Sequence, residues 1–271
     1  MIDDKIQEEL RAKYNPDGSV LRQIQLGALD TLIEFDSVCK KNNIQYWLDS
    51  GTLLGAMRHG GFIPWDDDVD ICVSRRDLRR LLKCLKRDLG GNFRLHNGRK
   101  DNYPDSVNHC LISRVLNERV LVSRKKDIYG NSLYEPIWID IFPLENGSLA
   151  IKKIVEKTYG KFLRRKTFMI QDGKFKHLLS VVLEFVSLPF IQLLRFYGRL
   201  FHGTTYIHDY GINFNSLRHK KDVFPLIEHS FEGVMFPCPG NADNYLSKLY
   251  GNWHLLPETG INHYFVAIKK Q

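Results

Sequence analysis

Four aspartates stand within five residues in Asp66-Asp67-Asp68-Val69-Asp70, and the last runs straight into Ile71-Cys72-Val73. Side chains of an extended segment alternate in direction, so Asp68 and Asp70 fall on one face; Asp66 joins them by the same alternation, and Asp67 points away to orient the loop. Aspartate disfavours strands and crowded acids repel, so the arrangement asks for a compensating cation. Carboxylates in this pattern suit a hard divalent ion, Mg²⁺ or Mn²⁺. A third ligand is expected, and Asp140 is the best candidate. It stands in Ile137-Trp138-Ile139-Asp140-Ile141-Phe142, a strand-like run predicted to lie beside the first, where a lone buried carboxylate is costly. The same group is a candidate to take the proton of an attacking hydroxyl.

Ahead of the acids, Ser50-Gly51-Thr52 closes an apolar stretch and opens a short run, Leu53 to Met57, of one or two helical turns. Glycine lets the backbone approach a ligand, and a helix start presents free N–H groups to phosphate oxygens. Arg58, just beyond, can bind a phosphate in bidentate fashion. A phosphate cradle of Ser50, Gly51, Thr52 and Arg58 followed by a carboxylate metal site is what metal-assisted phosphoryl transfer needs. His59 and Trp65 read as structural or ring-stacking residues.

These parts need a scaffold, and the periodicity supplies one. Residues 1–18 form a polar extension ending in the turn Asn15-Pro16-Asp17-Gly18. From Ser19 to about Lys41, Leu21, Ile24, Ala28, Leu32, Phe35 and Cys39 recur at helical spacing, predicting a core helix. A strand over Ile44–Leu48 leads into the cradle, and Asp68–Val73 is the next strand. Ser74 with Asp77 makes a capping box for a helix that buries Leu78, Leu81, Leu82, Leu85 and Leu89, and whose other side is a row of arginines and lysines read as a solvated face. Further strands are predicted at Phe93–His96, His109–Leu116 and Val120–Val122, before Ile137–Phe142. Helix, strand, helix and then several strands argue for α/β or α+β with a mixed sheet.

Residues 149–210 are basic and apolar by turns, most apolar in 174–202, where Glu184, Arg195 and Pro189 leave no stretch long enough to span a bilayer. Two readings stay open: a helical hairpin making peripheral membrane contact, or a helical pair buried against the sheet. Residues 19–148 form the catalytic core, and 211–271 close the same domain.

At 271 residues, with 43% apolar and 26% charged content, the chain has ordinary globular values. Its net charge of +8 attracts anions without choosing among nucleotides, lipids and nucleic acid. Cys39, Cys72, Cys84, Cys110 and Cys238 are odd in number and never spaced Cys-x-x-Cys, which argues against a disulfide framework or a zinc site and for a reducing cytoplasm. The acidic, polar start Met1-Ile2-Asp3-Asp4-Lys5 does not read as a signal peptide. There is no Walker A sequence and no Gly-x-Gly-x-x-Gly.

Gly51-Thr52-Leu53-Leu54-Gly55, Pro64-Trp65-Asp66-Asp67-Asp68-Val69-Asp70-Ile71 and Trp138-Ile139-Asp140-Ile141-Phe142-Pro143-Leu144 resemble the motifs of the LicD family, bacterial relatives of the fukutin-type transferases. Phe231-Glu232-Gly233 and Tyr245-Leu246-Ser247-Lys248-Leu249-Tyr250-Gly251 are similar to the hairpin and helix that close that family's domain, and Arg114 stands where relatives often carry a lysine or arginine in a strand, which makes it a candidate contact for the donor phosphate. The tail departs, with Leu256-Pro257-Glu258-Thr259-Gly260-Ile261-Asn262-His263 where relatives carry acids and bases before paired histidines.

The resemblance implies an α+β fold with a nucleotidyltransferase-like mixed sheet flanked by helices and carrying a helical insertion. It also implies transfer of a phospho-alcohol, typically phosphocholine, from a CDP-linked donor to a sugar of a surface glycan or lipid-linked glycan precursor, on the cytoplasmic side and without nucleic acid as partner. The catalytic motif itself leaves nucleotidyl transfer to a small molecule open, and a non-enzymatic binding protein is the remaining alternative. A choline group would call for aromatic walls, for which Tyr46, Trp47, Trp65 and Trp138 are candidates.

Overall fold

The computed structural model describes residues 2–97, 112–126, 132–157, 174–210, 212, 214–257 and 267–270. Its framework is one long helix on a curled mixed sheet. Helix α1 (Asp4–Tyr14) begins at Asp3, whose carboxylate accepts the Lys5 N–H at 3.0 Å. The stretch read as a polar extension is therefore largely helical, and Leu10 and Tyr14 pack on the core. Helix α2 (Val20–Lys41) starts at Ser19, whose hydroxyl accepts the Arg22 N–H at 3.2 Å. Its Ile24, Ala28, Leu32, Phe35 and Cys39 are buried at the predicted spacing.

Strand β1 (Tyr46–Leu48) leads into helix α3 (Ser50–His59), and strand β2 (Asp70–Ser74) runs directly into helix α4 (Arg75–Asp88), with the Ser74 hydroxyl as cap. Strand β3 (Phe93–His96), strand β4 (Ser113–Lys126) and strand β5 (Ser132–Asn146) follow. The main sheet has the order β1-β2-β5-β4-β10, where β10 is Ala267–Lys270; β3 pairs with β4, and β6 (Thr205–His208) and β7 (Leu217–His219) extend it from β5. The β2–β5 pair is parallel and the other described pairs are antiparallel, so the sheet is mixed.

Three boundaries differ from the sequence reading. Asp68 lies in the loop before β2, so the loop rather than strand alternation aims its side chain. The pieces predicted at His109–Leu116 and Val120–Val122 meet in β4, whose register with β5 shifts between Asn117 and Leu121. The polar Asn117-Glu118-Arg119 that interrupts the apolar pattern sits at this irregularity, with Asn117 buried and bonded to the Gly27 carbonyl at 3.1 Å. Residues 109–111 of the first piece lie outside the described residues. Strand β5, finally, extends well beyond Ile137–Phe142 at both ends.

Among the described residues of the basic and apolar region are helix α5 (Leu149–Val155) and helix α6 (Lys174–Phe201), and residues 158–173 lie outside the described residues. Helix α6 runs on through Pro189 and is fixed to the sheet by its inner face, where Ile191 is buried and Arg195 bridges Glu145 at 2.8 Å and Asp209 at 2.6 Å. Helix α7 (Lys220–Val223), the hairpin β8 (Ile227–Phe231) and β9 (Val234–Cys238), and helix α8 (Ala242–Tyr250) follow.

One contact sets the position of α3. A Cβ on Gly55 would overlap the Gly61 carbonyl oxygen and lie 3.1 Å from the Ile63 nitrogen, both backbone atoms that cannot swing aside. Gly55→Ala is expected to cost about 2 kcal/mol through overpacking, seen as a lower urea midpoint at unchanged slope. A variant as stable as the wild type would show that this contact is not tight.

Candidate active site

The loop from Gly60 to Val69, which carries the acids, is held by parts of the chain far apart in sequence. Gln25 on α2 donates from Nε2 to the Asp66 carbonyl at 2.8 Å, while its Oε1 accepts from Asn15 at 2.7 Å. Glu232 sits at the tip of the β8–β9 hairpin, where it and Gly233 both have positive φ (52° and 80°), the geometry of a tight two-residue turn. Its carboxylate accepts the Phe62 N–H at 3.0 Å and pairs with Arg22 at 2.7 Å, and its own N–H donates to the Gly60 carbonyl at 3.0 Å. Trp65 is buried edge-on against Tyr14 and His59.

The parallel register of β2 and β5 sets Asp70 beside Asp140. The main chain of Asp70 is fixed on both sides: its N–H donates to Thr52 Oγ1 at 2.8 Å, and its carbonyl accepts the Asp49 N–H at 3.0 Å. Thr52 thus positions Asp70 with the oxygen that the sequence reading aimed at a phosphate. A Cβ on Gly51 would lie 2.7 Å from Asp66 Oδ2, so glycine there leaves room for that carboxylate. Ser50 begins α3 at φ 47°, a strained conformation for a residue with a side chain.

The acids feel one another. Desolvation and then the neighbouring Asp67 push Asp66 up to about 6, while a hydrogen bond with Asp68 acts in the opposite direction. Asp70 is pushed well above the usual carboxylate range by desolvation first and then by repulsion from Asp68 and Asp140. Asp68 is raised as well, by desolvation and by Asp66, Asp67 and Asp140. Asp68 is solvent-exposed, so repulsion from the neighbouring acids acts on it more strongly than loss of water.

Asp140 is differently placed. It is buried, and Arg114, opposite it in the β4–β5 register, donates from Nε to its Oδ1 at 2.6 Å. Among the described residues no three His, Cys, Asp or Glu side chains already surround one point as a metal site. The set nevertheless fits Mg²⁺ or Mn²⁺, because such ions are commonly held by one or two carboxylates plus substrate phosphate oxygens and water. Asp68 and Asp70 would hold the ion, with Asp66 next to them, and Asp140 would join on turning from Arg114.

Other expected site residues are drawn into the scaffold. Arg58 is buried, and its Nη1 donates to the carbonyls of Trp253 and Leu255, both at 2.9 Å, while its Nε donates to His59 at 3.0 Å. It ties the chain after α8 to α3, so most of its donors are committed away from a phosphate. Arg114 stacks over Trp138 at 4.4 Å while it binds Asp140.

The aromatic candidates are similarly engaged. Trp47 and Tyr46 are fully buried, Trp47 stacking on Tyr206 and Tyr46 donating its hydroxyl to Asp36 at 2.9 Å. With Trp65 packed in the core and the face of Trp138 covered by Arg114, these four build no cage for a quaternary ammonium.

The sequence reading missed a buried pair just behind the cradle. Asp49, fully buried, receives Arg218 at 2.6 Å on Oδ2 and the Tyr245 hydroxyl at 2.6 Å on Oδ1. Burial opposes its ionisation, but Arg218 and the bonds from Tyr245 and Cys72 outweigh it and hold the carboxyl well below its usual range. Asp49 directly before Ser50-Gly51-Thr52 and Tyr245 in the closing helix were visible hints. Arg218, 169 residues from Asp49, gave none.

Comparison with known proteins agrees with the motifs. Residues 43–105 match the model of the LicD/FKTN/FKRP nucleotidyltransferase domain. The chain is 25% identical over 255 residues to the lipopolysaccharide cholinephosphotransferase LicD of Haemophilus influenzae, covering 88% of this chain and 92% of that protein. It is 35% identical over 117 residues to an uncharacterized protein of Rickettsia typhi, covering 42% of this chain and 34% of that one. Over 41 residues it is 49% identical to the human ribitol 5-phosphate transferase FKRP, a match of 15% of this chain and 8% of that protein. A domain match centred on the acids, joined to an alignment running nearly end to end, makes this chain similar to the LicD proteins over most of its length.

Proposed function

We propose that this protein is a metal-dependent transferase that moves a phospho-alcohol group from a CDP-linked donor to a sugar hydroxyl of a surface glycan or its lipid-linked precursor. The observation that carries the reading is the side-by-side placement of Asp70 and Asp140 on parallel strands, with Asp66 and Asp68 in the loop above and Gly51 against Asp66. A bound Mg²⁺ or Mn²⁺ would neutralise charge on the donor diphosphate. The backbone at Ser50 and Gly51 lies beside the acids and can approach the donor closely. Arg114 provides a cation at the same spot, able to leave Asp140 for a phosphate oxygen. Asp140, once released, can accept the proton of the acceptor hydroxyl. That hydroxyl oxygen forms a bond to the phosphorus bearing the alcohol, the bond from this phosphorus to the bridging oxygen breaks, and CMP departs. The relatives' names pair the family with both cholinephosphate and ribitol 5-phosphate, so the alcohol is to be decided by binding.

Thermal stabilisation of the purified protein tests this without a known acceptor, because a ligand that binds only the folded state raises the melting temperature with its concentration. One of CDP-choline, CDP-ethanolamine, CDP-glycerol or CDP-ribitol is expected to outperform CTP and ATP, and only with Mg²⁺ or Mn²⁺ present. A preference for a triphosphate would instead indicate nucleotidyl transfer, and no shift with any of these compounds would sink the transferase reading.

The pH dependence has a defined sign. A carboxyl whose folded pKa is raised binds protons more tightly in the folded state, so its penalty is absent below the unfolded value near 4 and grows as pH rises through the folded value. For Asp66 that window runs from about 4 to about 6. Metal-free protein should therefore lose stability as pH rises across it. Added Mn²⁺ should restore more at pH 8 than at pH 5, since the ligands must be deprotonated. Equal metal shifts at the two pH values would contradict the assignment.

A further inference from the structure

A groove of about 1590 Å³ lies away from the acid cluster. It lies at the other ends of β2 and β5, beside Ser74, Leu144 and Asn146, between α4 and α6. On the α4 side, Arg76, Arg79, Lys83 and Lys86 follow one another at three- and four-residue steps and are all exposed. On the α6 side, Arg199 borders it. Three acids line it, Asp77, Glu145 and Asp209, the last two bonded to Arg195, against nine arginines and lysines in the same lining, so the net charge of the groove is positive.

Beyond Arg199, α6 turns an apolar stripe to solvent. Phe185 (78% exposed), Val186 (68%), Leu193 (62%), Phe196 (54%), Leu200 (60%) and Phe201 (68%) recur at helical spacing on the face opposite the buried Ile191 and Arg195. An exposed stripe of large apolar side chains marks a surface made to be covered. No helix among the described residues is long and apolar enough to cross a membrane. What favours a lipid surface is the charge beside the stripe: a helix lying in the interface buries its apolar face at the acyl boundary and sets basic groups among anionic headgroups.

We propose that the outer face of α6 and the basic row of α4 together form a docking surface for an anionic phospholipid bilayer, on which the protein lies without spanning it. The acid cluster, at the opposite ends of the parallel strands, then stays clear of the contact. Binding can be read without donor, acceptor or metal, so this proposal stands or falls apart from the transferase reading.

Co-sedimentation of the full chain with vesicles is the test. Vesicles of phosphatidylglycerol mixed with phosphatidylcholine are expected to retain the protein, phosphatidylcholine alone far less, and added salt to weaken retention. Replacing two stripe residues together, Phe185→Asp with Leu193→Asp, should weaken binding at least about tenfold through lost apolar insertion. Arg79→Glu with Lys83→Glu should weaken it selectively on anionic vesicles. All four side chains are exposed, so an unchanged melting temperature verifies that each variant is folded. Absence of binding, equal binding to neutral vesicles, or wild-type binding by the folded stripe variant would overturn the proposal. So would a dimer in light scattering that the stripe variant dissolves, since a second copy would then be the occupant.

Discussion

Asp70→Asn is expected to lower the proposed transferase activity by at least about 10²- to 10³-fold, as for losing a principal charge-stabilising group, and to leave the protein folded. The backbone of Asp70 is held by Thr52 Oγ1 and by Asp49 N–H, neither of which touches the carboxylate, and asparagine fills the same volume. The change also removes one charge from a group of acids that desolvation and mutual repulsion hold above their normal range. In metal-free solution at neutral pH the variant should therefore melt higher than the wild type, by about 2–4 °C for each kcal/mol of repulsion relieved. Addition of Mn²⁺ should narrow or reverse that difference, since only the wild type keeps the full ligand set. Melting curves with and without metal, run beside an activity assay, check both halves. An active Asp70→Asn protein would remove Asp70 from the mechanism. A variant that melts well below the wild type without metal would mean that the carboxylate is a structural anchor.

Arg218→Met should be the most destabilising single substitution near the site. It leaves the Asp49 carboxylate fully buried without its cation, and breaking a buried pair in this way costs about 3–5 kcal/mol, a large share of the roughly 5–15 kcal/mol that holds a domain together. The Tyr245 and Cys72 bonds to Asp49 remain and soften the loss. Urea unfolding gives the number, and its pH dependence identifies the cause. In the wild type Asp49 is held below its usual pKa, so its stabilising contribution is present above about pH 4 and lost as pH falls through the lower folded value. Without Arg218 burial dominates, the carboxyl is raised instead, and lowering the pH from 7 to 5 should stabilise the variant. A loss under 1 kcal/mol would indicate that water replaces the guanidinium and that the site behind the cradle is not dry. The pair matters for function through position: Asp49 precedes Ser50, and its N–H holds the Asp70 carbonyl.

Much of this arrangement was legible in the residues. The apolar spacing of α2 and the capping Ser74 each act over a few positions, so local pattern reports them faithfully. The neighbourhood of Asp70 and Asp140 was also readable, since two apolar runs each interrupted by one aspartate are costly to bury apart. Helix α1 was hidden because its exposed face is polar and its contact with the core rests on little more than Leu10 and Tyr14.

What the sequence determined by itself is the set of acids, the tight glycines beside them and the resemblance to the LicD motifs, because crowded carboxylates and tight glycines are chemically odd enough to need one kind of explanation. What the tertiary structure decided is the assignment of partners. Arg58 went to the backbone of Trp253 and Leu255, Thr52 to the Asp70 N–H, Arg114 to Asp140, and Glu232 to the loop at Phe62. A guanidinium or hydroxyl offers the same donors wherever it stands in a chain, and hydrogen bonding has no sequence period. Which acceptor it meets is fixed only when strands and helices far apart in sequence are packed together.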